Sequence, residues 1–88
     1  MRARQDVILR RVAGETLLIP TGEAAMRLSG MATLNEAGQI LWDALQKDCT
    51  MEDLADALMG EYEVDRATAL ADAAEFAEKM AEAGLLDP

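Results

Sequence analysis

The sequence predicts an α+β fold that is winged helix-turn-helix-like, with a small N-terminal antiparallel sheet of three to four strands followed by three helices. Apolar residues recur with a period of two up to about residue 34 and of about 3.6 after it, which indicates strands and then helices. Hydrophobic residues make up 51% of the chain but aromatic residues only 3%, a composition typical of close-packed helices. A chain of 88 residues has room for one small core, so we expect residues 1–88 to form a single domain.

The first third of the chain predicts strands within about residues 6–34. The segments DVILRRVAG and ETLLIP are rich in β-branched residues, and the short connection at Ala13, Gly14 and Glu15 between them predicts a hairpin. Pro20 ends the second strand. The segments AAMRL and MATL flank a Ser-Gly pair at positions 29 and 30, which predicts a second tight hairpin because glycine allows a positive φ.

Three residues with the side chains of helix N-caps precede the helical part of the chain. Asn35, Thr50 and Asp65 each stand just before a run with helical spacing, and Asp53 completes a capping-box pattern with Thr50. Gly60 and the acidic residues after it predict the end of the second helix, and Gly84 the end of the third. We expect helices at about 36–47, 51–59 and 66–83.

The charge of the chain is divided unevenly between its two parts. Residues 1–34 carry five basic and three acidic residues, a net charge of +2, whereas residues 35–88 carry three basic and fourteen acidic residues, a net charge of −11. Nucleic-acid affinity depends on neutralising phosphates with Lys and Arg. Helices this acidic therefore predict a protein that does not bind nucleic acid.

The chain is poor in the side chains that perform chemistry. It has no histidine, one cysteine (Cys49) and one serine (Ser29), so the usual pairs of nucleophile and base are missing. We expect no enzymatic activity, no catalytic residues, no metal site and no cofactor. No apolar run approaches the ~20 residues that cross a bilayer, and we expect a cytoplasmic protein without a membrane partner.

The predicted sheet has an edge, and an edge strand carries main-chain N–H and C=O groups that another chain can pair with. An extended peptide can bind there as an added strand, with alternate side chains in pockets beside the strand.

Several segments resemble the PqqD family. They are LNEAGQILWDAL, TMEDLADAL, EYEVDR and the closing EAGLL, in this order along the chain. The resemblance implies a RiPP recognition element, a domain that binds the leader segment of a ribosomally synthesised precursor peptide. Such a domain presents the peptide to a modifying enzyme, often a radical S-adenosylmethionine enzyme.

The resemblance also implies where the leader peptide binds. It would add as a strand beside the third strand of the sheet, in a groove walled by the third helix. The matching positions are Met31, Ala32, Thr33 and Leu34 in the strand and Arg66, Ala69, Leu70 and Ala73 in the helix. Arg66 has two possible partners, an acidic side chain of the leader or its own neighbour Glu63.

Three other functions fit parts of the sequence. A scaffold or chaperone domain would use the same groove for the tail of another protein. A winged-helix DNA-binding regulator would need a basic recognition helix, which this chain lacks. A carrier protein would need a serine at the start of a helix for a phosphopantetheine arm, whereas Ser29 lies at a predicted turn.

Overall fold

The predicted α+β class is confirmed by the computed structural model, which describes residues 1–27 and 32–87. The strands are β1 (Arg2–Ala3), β2 (Val7–Val12), β3 (Glu15–Pro20), β4 (Ala32–Leu34) and β5 (Leu86–Asp87). The helices are α1 (Gly22–Arg27), α2 (Glu36–Ala44), α3 (Met51–Glu61) and α4 (Arg66–Glu82).

The main sheet is antiparallel, with the strand order β2-β3-β4. The turn between β2 and β3 consists of Ala13 and Gly14, whose φ angles are 53° and 81°. Positive φ at both central residues is what a type I′ hairpin turn requires, and this turn matches the twist of the two strands. The predicted first hairpin is therefore present, with an alanine in a conformation that costs energy for any residue but glycine.

The prediction of a strand at AAMRL is wrong, because Gly22–Arg27 forms the short helix α1. Its first turn is held by Asp6, whose Oδ2 accepts a hydrogen bond from the Ala24 amide at 3.0 Å. The main-chain oxygen of Asp6 also accepts from the Thr21 amide at 2.7 Å. These contacts come from a residue distant in sequence, which local spacing does not reveal. The predicted Ser-Gly turn at 29 and 30 lies outside the described residues.

The three longer helices begin where their caps predict. Oδ1 of Asn35 accepts from the Gly38 amide at 2.7 Å, and Oδ1 of Asp65 accepts from the Thr68 amide at 2.7 Å. Thr50 forms a capping box at the start of α3. Three ends differ from the prediction: α2 stops at Ala44, three residues early, α3 continues through Gly60 to Glu61, and α4 stops at Glu82, one residue early.

The core lies between the inner face of the sheet and the helices. Its largest fully buried side chains are Leu18 from β3, Leu45 after α2 and Leu54 from α3, and Trp42 is only 2% exposed. Small residues let α3 and α4 approach closely.

The two ends of the described chain meet. Strand β1 pairs with β5, with Arg2 opposite Asp87 and Ala3 opposite Leu86. The Ala3 amide also donates to the Leu45 carbonyl at 2.7 Å, which joins this small sheet to the end of α2.

Candidate functional site

Strand β4 forms one edge of the main sheet. Within the part of the chain that the structure describes, β4 pairs only with β3, so its other side presents main-chain groups without a strand partner. Ala32 and Leu34 are half-buried on the inner face, and Thr33 is exposed on the outer face. The edge is short, but it is available for pairing with an extended segment.

A cleft of about 430 Å³ lies between the start of α2 and α4. Apolar side chains from three helices and from the α3–α4 connection contribute to its walls. The lining residues are Asn35, Ala37, Gly38, Leu41, Leu58, Tyr62, Val64, Asp72, Glu75, Phe76 and Lys79.

Gly38 keeps this cleft open. A Cβ atom at position 38 would lie 3.3 Å from Cδ2 of Leu34 and 3.3 Å from Cε1 of Phe76. It would also lie 3.1 Å from Oδ1 of Asn35, the oxygen that caps α2. Leu34 of β4 and Phe76 of α4 therefore both lie close to the position on α2 that has no side chain.

Tyr62 places a polar group at the mouth of the cleft. Its ring is half-buried, and burial, together with the charge of Glu36 and a hydrogen bond to it, raises the pKa of the Tyr62 hydroxyl. A tyrosine of this kind offers an apolar ring to a ligand while its hydroxyl keeps a partner of its own.

The rim of the cleft is acidic. Lys79 is paired with Glu75, with 3.2 Å between Nζ and Oε1, so the one basic residue of the rim is already neutralised. Asp72, one turn earlier on α4, forms no ion pair with any side chain in the described ranges. The site combines an apolar floor with a net negative border.

The α4 residues predicted as the groove wall occupy other parts of the helix. Ala69 and Ala73 are 0% exposed, within the core. Arg66 pairs with Asp56 of α3, with 2.8 Å between Nη1 and Oδ1, and this partner is neither a ligand nor Glu63. Leu70 is half-buried but does not line the cleft.

The helix surface that does face the cleft carries Asp72, Phe76 and Lys79, which are four and three residues apart and so lie on one side of α4. With 3.6 residues per turn, Arg66 and Leu70 lie on the opposite flank of the buried alanines. The spacing of apolar residues placed Phe76 on the buried stripe of the helix but did not indicate that it borders a cleft. Of the predicted strand residues, Ala32, Thr33 and Leu34 form the edge, and Met31 lies outside the described residues. Whether any of these residues binds a peptide stays a prediction.

A second cleft of about 760 Å³ lies on the other side of the junction between β4 and α2. It is larger but more polar, with Glu15, Glu36, Asp43 and Glu61 among its lining residues. Thr33 and Leu34 line it, and Asn35 lines both clefts. We regard the smaller cleft as the candidate site because its apolar floor can hold a side chain, and the larger one as its open continuation along β4.

Residues 1–27 and 32–87 bring together no group of three or more His, Cys, Asp or Glu side chains able to hold a metal ion. None of the helices in these ranges has the length and hydropathy needed to cross a bilayer.

Comparison with known proteins gives one family and two similar structures. Residues 15–86 match the family described as coenzyme PQQ synthesis protein D (PqqD). The structure of TbiB1 in complex with the TbiA(beta) leader peptide superposes with a TM-score of 0.77 at 25% identity, covering 99% of this chain and 95% of that one.

The structure of a lasso peptide synthetase B1 complexed with the leader peptide gives a TM-score of 0.75 at 23% identity, covering 99% and 96%. No curated protein sequence matches the chain significantly.

Proposed function

Because the chain belongs to the PqqD family, we propose that it binds the leader segment of a ribosomally synthesised precursor peptide and presents that peptide to a modifying enzyme. The observation that carries the proposal is the free edge of β4 together with the apolar cleft between α2 and α4, which begins at Asn35, the residue after β4. The leader peptides present in the two similar structures support it.

The leader would bind by strand addition. Its main chain pairs with the free edge of Ala32, Thr33 and Leu34. Side chains along an extended peptide alternate in direction, so every second one points toward α4. An apolar leader residue placed there fills the cleft beside Phe76 and Tyr62.

The domain would act by tethering. A leader held on β4 keeps the rest of the precursor near an enzyme that binds the same domain, at an effective concentration that can reach about millimolar. No chemical step is assigned to the domain itself. The partner in this proposal is a modifying enzyme of the radical S-adenosylmethionine type, and the setting is the cytoplasm.

The ion pairs of α4 argue against the DNA-binding alternative. Arg66 is paired with Asp56 and Lys79 with Glu75, so neither basic residue of the helix is free for a phosphate. Phosphate contacts by Lys and Arg supply most of the affinity of non-specific DNA binding. A scaffold that binds the tail of another protein would use the same cleft. The two functions differ in the peptide that binds there, which is a leader peptide in our proposal and another protein's tail in the alternative.

The test is a titration of the isotope-labelled domain with the leader peptide of a precursor encoded beside this gene, followed by NMR. We expect shifts of the amides of Ala32, Thr33 and Leu34 and of residues around the cleft, together with slower hydrogen exchange of the outward-facing edge amides. A scrambled peptide of the same composition is the control. Shifts confined to residues away from β4 and α4 would overturn the proposed site, and binding only to an unrelated protein tail would favour the scaffold.

A further inference from the structure

The β2–β3 hairpin has an apolar surface turned away from the core. Residues alternate between the two faces of a strand, and the buried side chains of Val7 and Leu18 define the inner face. The side chains on the opposite face are called here the outer hairpin face, and they are Ile8, Arg10, Val12, Glu15, Leu17 and Ile19.

The pairing register of β2 and β3 brings these residues into one patch. Ile8 lies opposite Ile19, and Arg10 lies opposite Leu17. Ile8 is 37% exposed and Val12 is 51% exposed. The solvated face of an antiparallel sheet is ordinarily polar, whereas scattered single apolar residues need no explanation. Four aliphatic side chains gathered on one solvated face are typical of an interaction surface.

Arg10 lies at the centre of the patch and Glu15 lies at its end, opposite Val12. Neither forms an ion pair with any residue in the described ranges. The charge of the chain is +2 over residues 1–34 and −11 over residues 35–88, so the hairpin belongs to the basic part of an otherwise acidic molecule. A partner with carboxylates around an apolar centre is attracted to this face and repelled by the helices.

The outer hairpin face is separate from the peptide site. The free edge used by a leader is that of β4, at the opposite side of the sheet from β2. Leu34, which lies beside Gly38 of the cleft, points to the inner face together with Thr16 and Leu18. A protein seated on the outer face would leave both the edge of β4 and the cleft accessible.

We propose that the outer hairpin face docks the modifying enzyme, through an apolar patch on that enzyme bordered by Asp and Glu. This rests on the proposed function, because it assigns the second of the two contacts that tethering requires. Arginine and large aliphatic side chains at the centre supply the affinity, and the segregated charge orients the two proteins before contact.

The experiment uses the purified full-length domain, the precursor peptide and the modifying enzyme encoded beside it. Affinity for the enzyme is measured for Arg10→Glu and for Ile8→Ser combined with Val12→Ser. We expect at least a tenfold loss in both variants, a weaker affinity at higher salt for the unaltered domain, and leader affinity within twofold of normal. Arg10→Glu changes an exposed side chain only, so its result does not depend on the stability of the double variant.

Two matched control variants test whether the effect depends on the position of the substitution in the outer hairpin face. Lys47→Glu makes the same charge change at the end of α2, and Met59→Ser removes an exposed apolar side chain from α3. Both are expected to bind the enzyme normally. Equal losses in the controls and in the hairpin variants would contradict the assignment, as would unchanged enzyme affinity in the hairpin variants.

Two other partners could bind the outer hairpin face, a second copy of this chain or a membrane, and each predicts a different experimental result. Dimers in sedimentation that dissociate on Arg10→Glu would assign the face to a second copy, and binding to phosphatidylserine vesicles lost in that variant would assign it to a membrane. Either result overturns the docking proposal. A domain that fails to bind the leader overturns the proposed function, whereas normal leader binding with undiminished enzyme affinity in the variants overturns only the docking surface.

Discussion

Leu34 of β4 and Phe76 of α4 both lie against Gly38, where an added Cβ atom would lie 3.3 Å from a carbon of each side chain. Gly38 therefore lies between an edge strand and a helix that packs mainly on α3. The cleft beside it exists because residue 38 has no side chain, so the size of the candidate site is set by one backbone position.

Gly38→Ala is expected to weaken leader binding by about tenfold or more. The new methyl group pushes Leu34 and Phe76 apart or into the cleft, and crowding of this kind costs about 1–3 kcal/mol. Gly60→Ala is the matched control, because Gly60 is also helical and an added Cβ there meets nothing within 4 Å. We expect Gly60→Ala to raise the free energy of unfolding by about 1 kcal/mol without changing binding. Fluorescence anisotropy and urea denaturation measure the two effects, and equal behaviour of the variants would contradict the role of Gly38.

Phe76→Ala and Leu70→Ala separate the two flanks of α4. Both side chains are half-buried and apolar, but only Phe76 lines the cleft. Truncation of Phe76 is expected to weaken leader binding at least tenfold, since a bound side chain loses its aromatic wall. Leu70→Ala is expected to change the affinity for the leader less than threefold. Calorimetric titration, with circular dichroism to verify folding, checks both. A larger loss of leader affinity in Leu70→Ala than in Phe76→Ala would favour the groove wall predicted from sequence.

Ala13→Asn is expected to stabilise the domain by about 0.5–1 kcal/mol. Ala13 has a φ of 53°, a conformation in which Asn is tolerated much better than Ala, and Asn-Gly is a preferred pair for this turn. Ala74→Asn makes the same change on the exposed surface of α4 and is expected to destabilise by about 0.5 kcal/mol through helix propensity. Midpoints of urea denaturation measure both, and a loss of stability in Ala13→Asn would show that the turn is not strained.

Asp6→Asn is expected to lower stability at neutral pH, and the loss should shrink in acid. Hydrogen bonds from Arg4 hold the pKa of the Asp6 carboxyl at about 2, below its usual 3.8. The charged form is therefore favoured in the folded state, and its contribution is complete above pH ~4 and disappears as the pH falls toward 2. Urea midpoints from pH 7 to pH 2 should converge for the two proteins. A constant difference across this range would contradict the pKa assignment.

The parts of the fold that depend on neighbouring residues could be predicted from the sequence. Asn35, Thr50 and Asp65 cap helices through amides three residues further on, and the Ala13–Gly14 turn joins adjacent strands. The helix α1 could not be predicted, because its first turn is held by Asp6, whose Oδ2 bonds the amide of a residue 18 positions away.

The residues that line the candidate site could likewise not be predicted from local spacing alone. Helical spacing indicates which side chains of α4 share a face, but which face is buried depends on how the helix packs against the rest of the core. Ala69 and Ala73 are buried in the core, and Phe76, on one flank of these alanines, lines the cleft. The groove wall predicted from the sequence includes Leu70 on the other flank, and which flank binds a peptide stays a prediction.

The pairing of β1 with β5 has a consequence for the order of the elements along the chain. Arg2 and Asp87 face each other in that pair, so a short glycine linker can join the two ends. A circular permutant closed there and opened between Ala13 and Gly14 keeps every strand pair and helix contact of the domain. Strand β4 would then lie nearer the start of the chain, after only β3 and α1, and the new chain ends would emerge at the hairpin tip.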